Sequence, residues 1–278
     1  MTDLPMTDLP MTDLPMTDLP MTLDPGARQL PAMGGFNRTV LGIELRRMLR
    51  NRRTVVLTLI VPAALLLSIG SQRGWEETVG EGNVAAYLLV SMALYGAALT
   101  AAATGTMVAM ERAVGWSRQL RLTPLNPVAY ILMKALVALF MGALAIAVVN
   151  VVGVSQGKAQ MPTHVWVLSA VVTLFCTLTF AALGVFVGYL VPGENTMQIL
   201  GPGLALLSFL GGVFIPLSQY ADVVRNIAYW TPMYGVAEVA RAPLTHDLPW
   251  YAVVNAVCWF VLFVAGAAWR MSKDTARA

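Results

Sequence analysis

The chain has 278 residues, of which 57% are hydrophobic and only 12% are Asp, Glu, Lys or Arg. Soluble domains carry about 25% charged residues, so this deficit, with a mean hydropathy of +0.67, excludes an ordinary water-soluble globule. The net charge of +3 hides an asymmetry: residues 1–24 carry five Asp and no Lys or Arg, leaving 18 positive against 10 negative charges in the rest. Set between apolar runs, these basic residues fit the edges of membrane spans better than a nucleic-acid surface.

Residues 1–20 are four copies of Met-Thr-Asp-Leu-Pro, and Met21–Pro25 is a degenerate fifth. A Pro at every fifth position interrupts a helix. One Leu and one Met per copy bury too little surface to offset the entropy of ordering. Residues 1–34 are therefore expected to be a disordered tail ahead of one transmembrane domain, 35–278.

Phe36–Arg53 sets Phe36, Val40, Leu41, Ile43, Leu45, Met48 and Leu49 at helical spacing against Arg38, Arg46, Arg47, Arg50, Arg52 and Arg53. This is the pattern of a helix lying in the membrane interface. Six apolar spans follow, at about 54–71, 83–110, 128–154, 165–191, 197–215 and 250–269, each able to cross ~30 Å with some tilt. Pro62 and Pro202 fall inside spans, where neighbouring helices can satisfy the freed carbonyls. Gly184 and Gly188 form a small-residue stripe on the fourth span, Gly96 and Gly105 thin the second, and Gly201, Gly203, Gly211 and Gly212 line the fifth. Such positions suit close packing, a subunit interface or a passage.

With the N-terminus in the cytoplasm, thirteen Lys and Arg fall inside and four (Arg73, Lys158, Arg225, Arg241) fall outside, so both termini are expected inside. Lys134, about one turn into the third span, is expected to snorkel to the interface. The outside segment 216–249 reads as two short amphipathic helices, near Ser218–Tyr229 and Pro232–Arg241, dipping into the membrane without crossing it. Thr231-Pro232 is a cap followed by Pro at the first helical position. The expected fold class is thus all-α: a polytopic membrane protein with six transmembrane helices, an interfacial helix before them and two short re-entrant helices before the last.

No catalytic set emerges. Gly153–Ala159 has three residues between its glycines where a phosphate loop needs four, and Ala159 where Ser or Thr must reach magnesium. His164 and His246 stand alone, without a second His at metal-ligand spacing. Glu76, Glu77 and Glu81 cluster in the first outside loop without further ligands. Cys176 and Cys258 lie in apolar runs and form no disulfide framework. The spans hold almost no carboxylate, which speaks against a proton- or sodium-coupled carrier and for an energy source outside the chain.

Met110-Glu-Arg-Ala-Val-Gly-Trp-Ser-Arg-Gln-Leu-Arg-Leu-Thr-Pro-Leu125 resembles the loop after the second span of ABC exporter permeases of the type-2 family, which export drugs, lipids and polysaccharides. Gly211-Gly-Val-Phe-Ile-Pro-Leu217 is similar to that family's motif at the end of the fifth span. Trp230-Thr-Pro-Met-Tyr-Gly235 with Glu238 to Arg241 is similar to its external Pro-x-x-Tyr…Arg stretch. Order and sidedness agree over about Gly35–Arg270, and the likeness is nearest to the daunorubicin-resistance type.

The resemblance implies a non-enzymatic transport subunit in a bacterial plasma membrane, surrounded by lipid and without nucleic acid. Two copies would pair as a homodimer and bind two cytosolic ATPase subunits. This chain would hold no cofactor, because ATP and magnesium belong to the ATPase. Glu111, Arg112, Gly115, Arg118 and Arg121 would form a cytoplasmic coupling helix, its exposed charges seating it on the ATPase. The interfacial helix, with Arg46, Arg47 and Arg50, would lie alongside. The pathway would run between the second and fifth spans of the two copies, past Tyr95, Leu99, Met107, Leu204, Phe209 and Phe214. The outside segment, with Pro216, Pro232, Tyr234 and Arg241, would cap the exit. An apolar lining implies a hydrophobic or amphiphilic drug, antibiotic or lipid, although a polysaccharide or glycolipid exporter shares the plan. An ATP-independent secondary carrier is the competing class.

Overall fold

The computed structural model describes residues 38–69, 75–113, 127–191 and 196–275. The repeat tail lies outside them, as do Gly115, Arg118 and Arg121 of the expected coupling helix and the side chain of Arg112. Among the described residues the chain is almost wholly helical. Helix α1 (Arg38–Arg50) is followed by α2 (Arg52–Ile69), a two-stranded antiparallel hairpin of β1 (Thr78–Val79) and β2 (Gly82–Asn83), and α3 (Val84–Ala113). Then come α4 (Pro127–Gln156), α5 (Thr163–Leu190), α6 (Thr196–Leu210), a 3-10 turn at Leu217–Gln219, α7 (Asp222–Ala228), α8 (Pro232–Thr245) and α9 (Trp250–Thr275).

Asn51 separates α1 from α2 and offers its carbonyl to Val55 N–H at 3.0 Å. The amphipathic α1 and the apolar stretch Val55–Ser68 are bent by 62° to one another. Met48, on the inward side of α1, packs with Val137 and Met141 of α4.

Helix α3 is the centre of the bundle and packs on α2, α4, α5, α6 and α8. Its Ala and Gly side chains let neighbours approach from every side, and 89% of its most apolar window is buried. A Cβ on Gly105 would stand 2.3 Å from Ala181 O, and one on Gly184 would stand 2.2 Å from Ala102 O. The α3 and α5 backbones therefore meet directly, and only glycine fits at either point. The Gly184 stripe serves packing within the chain. The α3 hydroxyls are satisfied locally: Thr100 donates to Ala97 O, Thr104 to Thr100 O and Thr106 to Ala103 O.

Four described helices are long and apolar enough to cross a membrane: α3 over Val84–Val108, α4 over Ala129–Gln156, α5, and α9 over Trp250–Lys273. The bent pair of α1 and Val55–Ser68 makes a fifth if taken together. The expected six uniform spans narrow accordingly. The fifth expected span, 197–215, is corrected: its helix stops at Leu210 after 15 residues, about 22 Å at 1.5 Å per residue. Gly211-Gly212 ends it, with Gly212 in the left-handed region at φ 73° and Leu217 packed where a Cβ would stand.

The segment 216–249 does form helices. Thr231 caps α8, its Oγ1 accepting from Tyr234 N–H at 3.4 Å, with Pro232 in the first turn. Helix α8 runs four residues past the expected Arg241 and closes at His246, which is left-handed at φ 56°. It is largely buried between α5, α9 and α3.

Candidate functional site: a buried ion cluster and an anchored arginine

At one end of the bundle, α1, α3 and α4 bring five polar side chains together. Glu111, in the last turn of α3, is only 3% exposed. Its Oε1 accepts from Lys134 Nζ of α4 at 2.6 Å and from Arg47 Nη1 of α1 at 2.9 Å. Its Oε2 accepts from the Tyr130 hydroxyl at 2.6 Å. Lys134 Nζ also donates to Glu44 Oε2 at 2.8 Å and lies over the Tyr130 ring. Two carboxylates and two cations balance, as burial in a low dielectric requires.

Three expectations change here. Glu111 does not present an exposed charge; it is drawn inward by three donors. Lys134 does not snorkel, because two carboxylates hold it in a buried position. A buried carboxylate, Glu111, is present after all, with Glu44 half-buried beside it, so the lack of such groups no longer speaks against an ion-coupled carrier. Glu44, Tyr130 and Lys134 were not legible as a site, since they reach Glu111 or Lys134 across 19 to 90 residues of sequence. Arg47 has joined this cluster, whereas Arg46 and Arg50 face outward on α1.

The opposite end, which carries the hairpin, is organised by Arg241 of α8, 1% exposed. Its Nη1 donates to Gly212 O at 2.9 Å and to Ser91 Oγ of α3 at 3.3 Å. Its Nη2 donates to Glu238 at 2.7 Å, and the guanidinium lies 4.5 Å from the Tyr87 ring centre. One side chain thus ties the turn after α6 to α3 and α8. Nearby, Glu81 N–H donates to Leu244 O at 2.9 Å, docking the hairpin on the end of α8. The two histidines expected to stand alone both face Glu81, His246 Nε2 at 2.7 Å and His164 Nε2 at 3.1 Å. No group of three His, Cys, Asp or Glu among the described residues is arranged to hold a metal ion. Tyr234 is buried against Tyr229 and Tyr251. Burial, then the hydrogen bond with Tyr251, pushes its hydroxyl well above the usual phenol range.

The residues expected to line a pathway separate. Tyr95, Leu99 and Leu204 lie inside the chain's own core, because the small-residue helix that carries the first two is enclosed. Met107 packs beside Met48, and Phe214 meets Tyr95 edge-on at 4.9 Å. Phe209 is 45% exposed on α6, next to Tyr220. Pro216 lies half-buried ahead of the 3-10 turn, while Pro232 is buried at the start of α8. Gly153–Gln156 are helical residues of α4, so the weak phosphate-loop pattern is a helix end.

A bundle of apolar helices, one central and one truncated at a Gly-Gly turn, with charge gathered at its ends, is that of a multi-pass membrane protein. The sequence profile of the family described as ABC-2 type transporter matches residues 37–245, and the chain belongs to that family. Over 231 residues it is 26% identical to the "Putative transport permease YvfS" of Bacillus subtilis (strain 168), a match covering 80% of this chain and 91% of that one. The chain is accordingly the membrane subunit of an ABC transporter, a family in which a separate subunit carries the ATPase activity.

Proposed function

We propose that this subunit exports a hydrophobic or amphiphilic compound (a drug, antibiotic or lipid), paired with a second copy of itself and driven by two cytosolic ATPase subunits that hold ATP and magnesium. The bilayer would be a bacterial plasma membrane, with both termini and the Glu111 end facing the cytoplasm. The observation that carries the mechanism is the fastening of Glu111. It stands three residues before the loop 114–126 and is bonded to α1 through Arg47 and to α4 through Tyr130 and Lys134. A push delivered to that loop, with Arg112, Gly115, Arg118 and Arg121 as the contact residues, reaches three helices through one carboxylate. Glu111 is then a positioning residue rather than a contact to the ATPase. The partly exposed face of α6, with Phe209, is the surface left to line a passage between copies, and the Arg241 end caps its exit.

Against the secondary carrier stand the family and the charge balance of the cluster, in which both carboxylates already hold cations. The test is co-purification with the ATPase encoded beside it, then transport of amphiphilic dyes in proteoliposomes. Glu111→Gln is expected to leave the complex assembled and hydrolysing ATP, while transport falls about tenfold, the worth of one charge-assisted hydrogen bond. A chain that purifies without an ATPase and transports without ATP overturns the reading.

A further inference from the structure

At the hairpin end, a cleft opens between the last turn of α2, the start of α3 and the end of α4. Leu66, Ala85, Leu89, Gly153 and Ala159 form its apolar walls, and Trp75, Gln156 and Lys158 supply its polar groups. Gly153 keeps it narrow: a Cβ there would stand 1.7 Å from Leu89 Cδ1. The cleft measures about 260 Å³ counting its open mouth.

Two nitrogens at this cleft, Trp75 Nε1 and Gln156 Nε2, are buried without a hydrogen-bond partner among the described residues. Both are donors, and a buried donor left unpaired costs about 1–3 kcal/mol. The third polar group, Lys158, adds positive charge, and its own backbone is fixed by Asn83 Nδ2 donating to Lys158 O at 2.8 Å. Two buried donors therefore share a cleft that is also lined by the cationic Lys158. A water could accept two of these bonds, but its own two protons would then need acceptors. An anionic oxygen accepts both without protons of its own to place, and its charge complements the lysine that lines the cleft.

We propose that this cleft is a binding site for the phosphate group of a membrane phospholipid. One phosphate oxygen enters between Trp75 Nε1 and Gln156 Nε2, Lys158 neutralises the charge, and the acyl chains run down Leu66 and Leu89. The placement suits the interface, where an amphipathic indole and a lysine sit at headgroup level. The site lies at the opposite end from the Glu111 cluster and does not depend on the transport reading.

The full chain, purified in a non-ionic detergent and stripped of lipid, is titrated with phosphatidylglycerol. A parallel arm uses diacylglycerol with the same acyl chains, and native mass spectrometry counts the retained lipid. Phosphatidylglycerol is expected to be retained about fivefold more strongly. That preference should collapse in Trp75→Phe and in Lys158→Met and persist in Trp250→Phe, which alters an exposed indole on α9. Competition by inorganic phosphate would show that the phosphate group suffices without its tails; its absence would show that the tails are needed, and both results support the site. Equal retention of the two lipids, or a preference untouched by both cleft variants, overturns the proposal and leaves water as the partner of the two N–H groups. Failure here would leave the ATPase-coupled reading intact, since neither ATP nor transport enters the measurement.

Discussion

The two ends of the bundle are held by different chemistry. At the Glu111 end, cohesion is side chain to side chain: two carboxylates and two cations on three helices. At the hairpin end, side-chain pairs such as Arg241–Glu238 and His246–Glu81 are joined by fastenings that reach backbone: Arg241 to Gly212 O, Glu81 N–H to Leu244 O, and Asn83 to both Lys158 O and Gln160 N–H. Backbone partners are fixed by the helices and turns that own them. Ion pairs between long side chains can exchange partners without unfolding anything. The end nearest residues 114–126 is thus the one held by side chains alone.

Arg241 is the residue whose loss should matter most. Arg241→Met is expected to cost about 3–5 kcal/mol, because Glu238 loses its cation in a mostly buried site. Thermal unfolding in detergent should show the drop, with Arg241→Lys recovering only part of it for want of a second donor arm. Next in size is Lys134→Met, expected to cost about 3 kcal/mol by leaving Glu44 and Glu111 facing each other. The double variant Lys134→Met/Glu111→Leu should recover at least 1 kcal/mol, roughly the coupling of residues in one network. Additive losses would show that the cluster is not one unit. Gly184→Ala, which forces a methyl against Ala102 O, is expected to cost about 1–3 kcal/mol by overpacking. Arg47→Ala should be the mildest, at most about 1 kcal/mol, since that side chain is half exposed. A large loss there would mean that α1 is held chiefly by charge rather than by Met48.

Much of the fold was legible because its signals are local. The Thr231-Pro232 cap opens α8 as read, and the arginine-studded α1 turns into an apolar α2 where Asn51 stands. The truncation of α6 was also written in Gly211-Gly212, but the apolar residues that follow, to Ile215, masked a turn as continuing span. The site was far less legible. Lys134 looked like an edge residue because its partners, Glu44 and Glu111, are 90 and 23 residues away. His164 and His246 meet at Glu81 by the same long-range geometry, which spacing rules for neighbouring ligands do not sense. The inward burial of Tyr95 and Leu99 follows from the small residues of α3, which favour enclosure as readily as they favour a passage.

The enclosure of α3 also bears on how the chain enters its bilayer. Among the four long helices it has the lowest mean hydropathy, 1.8 against 2.0 to 2.6, yet it is the most buried. Its alanines and threonines are a weak signal for partition into lipid on their own, and its neighbours rather than acyl chains surround it in the finished protein. Helix α5, whose backbone it touches at Gly105 and Gly184, is synthesised about 80 residues later, a delay of several seconds at about 5–20 residues per second. During that interval α3 has only α2 and then α4 for shelter, so its biogenesis is a matter of waiting for the partner that completes its surroundings.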